Sequence, residues 1–561
     1  MREILSVENM RKSDANTIAT RVSGRELMMR AGRAVYENTD WKPPVAIVCG
    51  SGNNAGDGYV IAKLLHDNGT DCTIILLEEK FSEDGRYYYD ICVQSGIPVE
   101  IWETGLSRYS TIVECIFGTG FRGSIKGKAA DVIGAINHSG AYVVSVDINS
   151  GLNGDTGMAG LFSDYADGTE NPAADVSAGG STDRASFGGR SVPEYGCVIS
   201  DLTVSIGSFK PGHFLNMAKD VMKRKVNCDI GIEPVDPPFY LLEKADLEPF
   251  FKKRKEYSNK GDYGYIALIG GSKRYSGAIR LAAMANAAMR AGAGVVKIAV
   301  PDLLYSTVAP QILESTVFPL SDNDGELVFS EKEFAELTKN VKTVAFGMGI
   351  GVTEETGRAL RYLLANYNGR MIIDADGLTL LSKTEPDLIK NTGAQLILTP
   401  HIKEFSRLTG MTIEEILASP IETSRQYASE NGVILLLKGP STIITDGNTV
   451  LITDAGCSGM ATAGSGDVLS GILAAVCAYL PGEIAGHCRD CINGWLPVTT
   501  GDIDDAGSSR YCGSRELLLS VAAGAYINGR AGELAQGRTN SISMIAGDTV
   551  SCIADTVSEL I

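Results

Sequence analysis

Short runs of valine and isoleucine, each followed by a glycine-rich loop, recur along the chain and restrict its fold more than any other feature of the sequence. In the first part, helical stretches separate the runs PVAIVCG, DCTIILL, STIVECIFG, YVVSVDI and DLTVSIG. This alternation predicts βαβ units and therefore an α/β fold built on a parallel sheet. The loops GSGNNAGDG, FGTGFRGS and VDINSGLNGDTG should then meet at the carboxyl edge of the sheet, where such folds bind ligands.

A second series of buried-strand patterns begins near Lys260 with YIALIGG and GVVKIAVP and ends with QLILTPH and GVILLLKGP. Because 561 residues exceed what one hydrophobic core accommodates, we expect two domains. We place the first at 1–225, a charged linker at 226–259 and the second at 260–561. Two stretches that break the pattern, near 159–196 and 481–514, are predicted to be insertions.

The balance of charge limits the partners of the chain. A formal net charge of −18 argues against a nucleic-acid partner, which needs concentrated lysine and arginine. No apolar run suggests a membrane span and the N-terminus lacks an apolar signal core, so we expect a cytoplasmic protein without membrane contact.

The 12 cysteines are scattered, as is typical of reduced thiols. Two alternatives, a zinc site or a plain surface insertion, stay open for His487, Cys488, Cys491 and Cys512.

The loop GSGNNAGDG carries amide and carboxylate oxygens on a backbone that its glycines let a ligand approach closely. Asn53, Asn54 and Asp57 are therefore candidates to hold a ribose, an amide or a monovalent cation; the alternative is a tight strand–helix connection with capping residues. Asp147 follows a predicted buried strand, where its carboxylate is a candidate acid or base. Asn54, Glu114 and Ser150 together offer oxygen ligands for a hard cation, although each alone is more typical of a cap or turn.

In the second part, AGSGDVLS forms a glycine-rich turn before an apolar helical pattern, which is typical of an anion site. The Walker pattern with its lysine is missing from this turn, so an ordinary P-loop NTPase is not expected. Asp467 beside the turn is either a catalytic base or a helix cap. Asp374, Asp376, His401 and Lys438 follow other predicted strands, and such a group suits phosphoryl transfer, which needs positioning and a base.

The first domain resembles the YjeF N-terminal family, the epimerases of hydrated NADH and NADPH, through GSGNNAGDG, FGTGFRG, VDINSGLNGDTG and DLTVSIGSFKPG. The second is similar to the ADP- or ATP-dependent NAD(P)H-hydrate dehydratases through YSGAIRLAA, GMGIG, DADGL, TPHIKEFSRL, KGPSTII and AGSGDVLSG. The resemblance implies a Rossmann-like three-layer sandwich followed by a ribokinase-like α/β domain. It also implies a bifunctional enzyme that interconverts the R and S hydrates and dehydrates the S form with ADP or ATP.

For the first domain, the resemblance implies that Asp147 is the acid–base residue and that a K⁺ ion lies among Asn54, Glu114 and Ser150. The residues implied to bind the hydrated nucleotide are Asn53, Asn54, Ala55, Gly56, Asp57, Gly118, Thr119, Gly120, Phe121, Arg122, Gly123, Ser124 and Asp147.

For the second domain, the resemblance implies that Asp467 deprotonates the hydroxyl of the hydrate, which is phosphorylated and then leaves as phosphate. The residues implied to face the hydrate are Ala278, Gly349, His401 and Asp467. The residues implied to hold the adenine nucleotide, which carries Mg²⁺, are Lys438, Gly439, Pro440, Ser441, Thr442 and Gly466.

Four residues depart from the family pattern: Glu114 replaces aspartate, Asn149 and Ile279 replace prolines, and Lys403 replaces glycine. Two other functions stay open at this point. One is a ribokinase-like small-molecule kinase with a non-catalytic N-terminal domain, and the other is a binding scaffold without turnover. The sequence also leaves the donor open between ADP and ATP, and we expect a homo-oligomer that acts on small molecules.

Overall fold

The computed structural model describes residues 1–103, 105–160, 196–235, 239–283, 287–485 and 512–561, together with strand residues 186–187 and 190–191. The chain forms two compact units, one of Glu3–Pro238 and one of Met1–Arg2 with Phe239–Ile561. Most of the predicted insertion at 159–196 lies outside the described residues. The same holds for the zinc candidates His487, Cys488 and Cys491 and for the side chain of Cys512.

The first part of the chain contains a parallel sheet, the helices that cover it and short strands that lie outside that sheet. The strands are β1 (Arg2–Ile4), β2 (Val45–Cys49), β3 (Cys72–Leu76), β4 (Val99–Ile101), β5 (Thr111–Cys115), β6 (Tyr142–Val146), β7 (Ser186–Phe187), β8 (Arg190–Ser191), β9 (Leu202–Ile206) and β10 (Lys225–Cys228). The helices are α1 (Val7–Thr20), α2 (Gly24–Glu37), α3 (Asn53–Asp67), α4 (Glu83–Gln94), α5 (Lys128–Asn137) and α6 (Ala218–Val221), with a 3₁₀ turn at Pro211–His213. Seven parallel strands form the main sheet in the order β10-β9-β6-β5-β2-β3-β4.

Both faces of this sheet are buried, as the alternating side chains of β2 show. Ile47 and Cys49 pack with residues of α2, α3 and α4 on one face. Ala46 and Val48 pack with residues of α5 on the other face. A parallel strand covered on both sides reads as a continuous apolar run, which is why the sequence identified it. The predicted three-layer α/β sandwich is therefore confirmed.

The strand order places a crevice between β2 and β5. The chain passes from β2 to β3 and β4 in one direction, and then returns to β5 on the other side of β2. The loops that follow these two strands therefore diverge at the carboxyl edge. Open α/β sheets bind ligands at such a reversal.

The second unit is a larger α/β structure. Its strands are β11 (Phe239–Leu241), β12 (Tyr265–Ile269), β13 (Val295–Pro301), β14 (Thr316–Leu320), β15 (Asp322–Asn323), β16 (Glu326–Leu327), β17 (Thr343–Phe346), β18 (Arg370–Ile373), β19 (Gln395–Leu398), β20 (Ile434–Leu437), β21 (Thr442–Thr445) and β22 (Val450–Thr453). Its helices are α7 (Lys244–Leu247), α8 (Ser276–Ala283), α9 (Ala287–Arg290), α10 (Asp302–Val308), α11 (Glu331–Thr338), α12 (Glu354–Asn366), α13 (Asp376–Leu381), α14 (Pro386–Lys390), α15 (Ile402–Thr409), α16 (Ile413–Ala418), α17 (Pro420–Asn431), α18 (Ser465–Ala485), α19 (Cys512–Arg538) and α20 (Ala546–Leu560). Short 3₁₀ turns lie at Glu248–Phe250, Ala309–Gln311 and Ser458–Met460.

The sheet of the second unit has eleven strands in the order β1-β11-β22-β21-β20-β19-β18-β17-β12-β13-β14, with Arg2 of β1 at its edge. The pairs from β20 to β14 are parallel. Strand β21 runs antiparallel to both of its neighbours. The order again reverses, here between β12 and β17, so the loops after these strands open a second crevice.

Helix α18 is the central helix of the second unit and packs on α8, α19 and β17. Its segment Ser465–Ile484 is long and apolar enough to cross a membrane, with a mean hydropathy of 1.4. This candidate was not predicted from the sequence. Because 78% of the segment is buried inside the unit, its apolar composition is that of a core helix.

Two boundaries differ from those expected. The predicted linker at 226–259 includes residues of β10 and all of β11 and α7, because Tyr240, Leu247 and Phe250 join the core of the second unit. The predicted insertion at 481–514 is shorter than expected, because α18 continues to Ala485 and α19 begins at Cys512.

Candidate active sites

A cavity of about 560 Å³ opens at the carboxyl edge of the first sheet. The loops after β2, β5 and β6 contribute to its wall, as do α1 and α2. The motifs that were expected to share one edge therefore face one cavity. The predicted binding residues that line it are Asn53, Asn54, Asp57, Gly118, Thr119, Gly120, Phe121 and Asp147.

The other residues implied to bind the hydrated nucleotide lie outside the cavity lining. A Cβ on Gly56 would come within 2.5 Å of Met28 Cε, so this glycine lets α2 pack closely on α3. Arg122 forms an ion pair with Asp155 at 3.2 Å. Gly56 and Arg122 therefore have structural contacts with α2 and with the segment after β6. The residues of this group are Ala55, Gly56, Arg122, Gly123 and Ser124.

Asp147 directly follows β6 in a left-handed backbone conformation, with φ of 65°. Its carboxylate accepts hydrogen bonds from Lys210 Nζ at 2.5 Å and from the backbone N–H of Ile206 at 3.2 Å. The Lys210 side chain is only 1% exposed. His213 Nε2 lies 2.7 Å from the Asp147 carbonyl oxygen, and burial lowers the pKa of His213 to about 4, so the ring is a neutral donor. These contacts fix the Asp147 carboxylate in the cavity.

Glu114, Ser150 and Asn54 meet at the carboxyl end of β5. Glu114 is fully buried and accepts hydrogen bonds from the backbone N–H and the hydroxyl of Ser150, at 2.9 and 2.5 Å. Burial raises the pKa of Glu114 to about 7. Asn54 Nδ2 donates to the Phe117 carbonyl at 3.0 Å, while Asn54 Oδ1 is buried without a partner among the described residues. This unpaired oxygen, beside carboxylate, hydroxyl and carbonyl oxygens, fits a monovalent cation.

Asn149 has a structural role that a proline in its place would not fill. It is fully buried, and its Nδ2 donates to the carbonyls of Val198 and Val221 at 2.8 and 2.9 Å. Its Oδ1 accepts a hydrogen bond from the Thr203 hydroxyl at 2.6 Å. The side chain thus ties the Asp147 loop to β9 and to α6. Asparagine in place of the family's proline is therefore accommodated by hydrogen bonds to the Asn149 side chain inside the fold.

Four charged residues that line the cavity were not predicted: Arg11 and Asp14 from α1, Asp84 from α4, and Lys210 from the turn after β9. Burial raises the pKa of Asp14 to about 6, against the opposing charge of Lys210 and together with the charge of Asp147. Asp14 and Ile18 lie one helical turn apart and both line the cavity. Residues four apart lie on the same face of a helix, and this spacing is the sequence signal that could have predicted a ligand-facing side of α1.

The second site lies at the start of α18. Gly464 precedes the helix with φ of 92°, and Asp467 is in the first turn. Burial raises the pKa of Asp467 to about 7; Asp374 and Asp376 raise it further and Lys438 opposes them. Among the described residues, no group donates a hydrogen bond to the Asp467 carboxylate, so its side chain does not cap the helix.

Asp374 and Lys438 form a buried ion pair beside this turn. Asp374 is 2% exposed and accepts hydrogen bonds from Lys438 Nζ at 2.9 Å and from the Ser470 hydroxyl at 2.7 Å. Burial lowers the pKa of Lys438, but Asp374 and Glu404 outweigh burial and raise the pKa above its usual value. A Cβ on Gly466 would lie 3.6 Å from both Asp374 Oδ2 and Lys438 Nζ. The glycine-rich turn therefore passes next to a fixed ammonium group, and the contact of Ser470 with Asp374 was not predicted from the sequence.

His401 directly precedes α15 and caps its start, and it forms an isolated β-bridge with Lys438. Its Nδ1 accepts hydrogen bonds from the backbone N–H groups of Lys403 and Glu404, at 3.1 and 3.2 Å. In the neutral ring Nε2 therefore carries the proton and remains a donor. The Lys403 side chain is exposed, so the replacement of glycine adds no group to the core.

Ala278 and Gly349 lie against each other at the crevice between β12 and β17. A Cβ on Gly349 would lie 3.0 Å from the Ala278 Cβ, and Gly349 has φ of 63°, which favours glycine. Ile279 is fully buried in the hydrophobic core, where its side chain takes the place of the family's proline.

The loop after β20 contains the other residues predicted to hold the nucleotide. The Ser441 hydroxyl donates to Asp454 Oδ1 at 2.7 Å, which fixes the loop to the end of β22. Gly439 and Pro440 are exposed and Thr442 begins β21. The backbone groups of Gly439 and Pro440 are thus accessible to a ligand near Lys438.

The two units define a class of protein: a two-domain α/β enzyme with a cavity lined by charged side chains in one unit and a glycine-rich helix start beside a carboxylate and a lysine in the other. Two family models match the chain. One is described as YjeF-related protein N-terminus and matches residues 24–212. The other is described as NAD(P)H-hydrate dehydratase and matches residues 266–496.

Relatives cover most of the chain. The bifunctional NAD(P)H-hydrate repair enzyme of Thermofilum pendens is 32% identical over 452 residues, which is 77% of this chain and 78% of the relative. That of Moorella thermoacetica is 30% identical, covering 93% of this chain and 90% of the relative. A solved structure, the Bacillus subtilis ADP/ATP-dependent NAD(P)H-hydrate dehydratase co-crystallized with ATP/Mg²⁺, is 23% identical with a TM-score of 0.45, covering 57% of this chain and 99% of that chain. The chain belongs to the family of bifunctional NAD(P)H-hydrate repair enzymes, which confirms the resemblance drawn from the motifs.

Proposed function

We propose that the second unit dehydrates the S form of hydrated NADH or NADPH at the expense of ADP or ATP, with Asp467 as the base. The observation that carries this proposal is the placement of Asp467, whose pKa burial raises to about 7, beside an anion-binding turn. A base whose pKa lies near the working pH is ionised in a large fraction of the molecules and still accepts a proton readily.

The reaction proceeds in two steps. Asp467 takes the proton of the substrate hydroxyl, and the hydroxyl oxygen attacks the terminal phosphorus of the nucleotide as the bridging P–O bond breaks. Phosphate then leaves with the electrons of the C–O bond, and loss of a proton from the adjacent carbon restores the ring double bond. Phosphorylation thus converts a poor leaving group into a good one.

Lys438 and Gly466 hold the phosphates in this proposal. The Lys438 ammonium is fixed by Asp374, so it is preorganised for a phosphate oxygen. The described residues contain no cluster of three acidic, histidine or cysteine side chains suited to a metal ion. In this proposal Mg²⁺ is carried by the nucleotide phosphates, and it would offset their charge.

The experiment that tests this proposal is turnover of the S hydrate with ADP or ATP, followed by the absorbance of NADH and by phosphate release. Asp467→Asn keeps the side-chain shape without the base, and we expect kcat to fall about 10²- to 10⁴-fold. Asp387→Asn, in the exposed helix α14, is the matched control. A stable phosphorylated product without NADH would instead indicate a small-molecule kinase, and binding without turnover a scaffold.

For the first unit we propose epimerisation of the R and S hydrates in the 560 Å³ cavity, with Asp147 as an acid–base residue. Its carboxylate lies in the cavity and is fixed by Lys210. Given only the R hydrate and no adenine nucleotide, the protein should form the S hydrate faster than the spontaneous reaction. A rate equal to the spontaneous one would refute the epimerase assignment and leave the dehydratase assignment standing.

Asn54, Glu114 and Ser150 would hold K⁺ in this proposal. The ion would neutralise Glu114 and satisfy Asn54 Oδ1, the buried oxygen that lacks a partner among the described residues. It would thereby fix the loop after β5, whose Gly118–Phe121 segment lines the cavity. We place the enzyme in the cytoplasm, where hydrated nucleotides and adenine nucleotides are its partners, and a homo-oligomer remains a prediction.

A further inference from the structure

Helix α1 lies before residue 24, where the family match begins, yet it forms part of the cavity wall. Its backbone N–H at Val7 donates to Asp155 Oδ1 at 2.7 Å, in the segment after β6. The Ser13 hydroxyl accepts a hydrogen bond from the backbone N–H of Val235 at 3.1 Å. Arg11 lies beside Gly120, whose Cβ position would be 3.0 Å from the guanidinium. The helix is therefore fixed across the loops at the carboxyl edge of the sheet.

Asp14 is the carboxyl group that this helix brings to the cavity. It has no hydrogen-bond partner among the described residues, although the charges of Lys210 and Asp147 act on it. Asp57 lines the same cavity, and burial raises its pKa well above the usual range, with Asp147 and Asp14 adding to the effect. Asp14, Asp57 and Asp147 line one cavity, and repulsion between their carboxylates favours a proton on at least one of them. The cavity therefore holds a proton donor as well as a proton acceptor.

Resting on the epimerase function proposed above, we infer that Asp14 is the second proton-transfer group of the cavity and works opposite Asp147. A ring bound between α1 and the sheet edge has Asp14 on the helix side and Asp147 on the sheet side. The two residues come from different elements, so inversion at a carbon between them can use one group on each face.

The chemistry follows from the substrate. The carbon to be inverted carries the hydroxyl and is bonded to the ring nitrogen. Asp14 protonates the hydroxyl, the C–O bond breaks, water departs, and the nitrogen lone pair forms a C=N bond. Water then adds to the other face, the C=N electrons return to nitrogen, and Asp147 accepts the proton of the incoming water. One proton has moved from Asp14 to Asp147, and exchange with solvent at the open cavity resets both groups.

The test uses the full chain without adenine nucleotide, so that the dehydratase is idle, and follows inversion of one epimer by chromatography. For Asp14→Asn we expect kcat to fall at least about 100-fold while KM stays within about threefold. Incorporation of heavy oxygen from labelled water should fall with it. The wild type should lose activity as pH rises and Asp14 ionises, whereas the residual rate of the Asn variant should not show this decline.

Controls separate the possible outcomes. Glu8→Gln, on the exposed side of the same helix, should leave inversion unchanged. The thermal unfolding curve of the Asn variant, followed by circular dichroism and compared with that of the wild type, reports whether the first unit is folded, and Asp14→Glu, which keeps the carboxyl, should recover part of kcat. A higher KM with unchanged kcat would make Asp14 a binding residue and overturn the inference, as would an unchanged pH profile. Failure of the wild type to invert the substrate would refute the epimerase function itself.

Discussion

Replacing Asp376 by asparagine should move the pH dependence of the dehydratase in a direction that the structure fixes. Asp376 is one of two carboxylates whose charge raises the pKa of Asp467. Its Oδ2 accepts a hydrogen bond from the backbone N–H of Gly351 at 2.9 Å, which an asparagine oxygen can also accept. The substitution therefore removes a charge and keeps the local hydrogen bond.

The magnitude follows from the pKa of about 7 for Asp467. A base must be ionised to act, so kcat/KM should rise roughly tenfold between about pH 6 and pH 8 in the wild type. Removing a neighbouring negative charge favours the ionised form and lowers the pKa of Asp467. We expect a shift of less than about one unit, equivalent to at most about 1.4 kcal/mol, and a severalfold gain in kcat/KM near pH 6.

The assay is the initial rate of NADH formation at low S hydrate across the pH range, since kcat/KM reports the free enzyme. Asp387→Asn is the same substitution at an exposed position of α14, and it should leave the pH profile of kcat/KM unchanged. A profile that stays unchanged in Asp376→Asn, or moves to higher pH, would show that Asp467 is not the titrating base.

Three further outcomes follow from the contacts. Asn149→Ala leaves the buried carbonyls of Val198 and Val221 without their donors and should lower the free energy of unfolding by about 2–4 kcal/mol, measured by denaturant titration. Asn54→Leu removes the unpaired buried oxygen, so stimulation of epimerisation by K⁺ should be lost in a salt titration; retained stimulation would contradict the cation site. Lys438→Gln removes the fixed ammonium and should raise the KM for the nucleotide about tenfold or more; an unchanged KM would place the phosphates elsewhere.

The fold and several site residues could be predicted because their signals are local. A parallel strand buried on both faces is a continuous apolar run, so β2 was recognisable from its five residues. Asn54 and Asp147 follow such strands, and the geometry of α/β sheets brings the ends of neighbouring strands together. The placement of Asp467 after a glycine-rich turn was equally local.

The residues that were missed depend on contacts between distant parts of the chain. Lys210 looks like a surface lysine in the sequence, but it is buried because it pairs with Asp147, 63 residues earlier. Asp14 lies in a polar helix whose charges resemble those of an ordinary solvated face. Asn149 bonds to groups 49 to 72 residues away, beyond the predicted insertion. No local pattern encodes such partners, because they are defined only once the sheet has formed.

The central claim, that one chain repairs both epimers, is tested most directly by recovery of NADH from a mixture of R and S hydrates. Purified protein with Mg²⁺, K⁺ and either ADP or ATP should convert the whole mixture to NADH, faster than spontaneous epimerisation allows, and the effective nucleotide identifies the donor. Recovery of only the share of the S epimer would contradict the function proposed for the first unit. No recovery with either nucleotide would contradict the role proposed for Asp467.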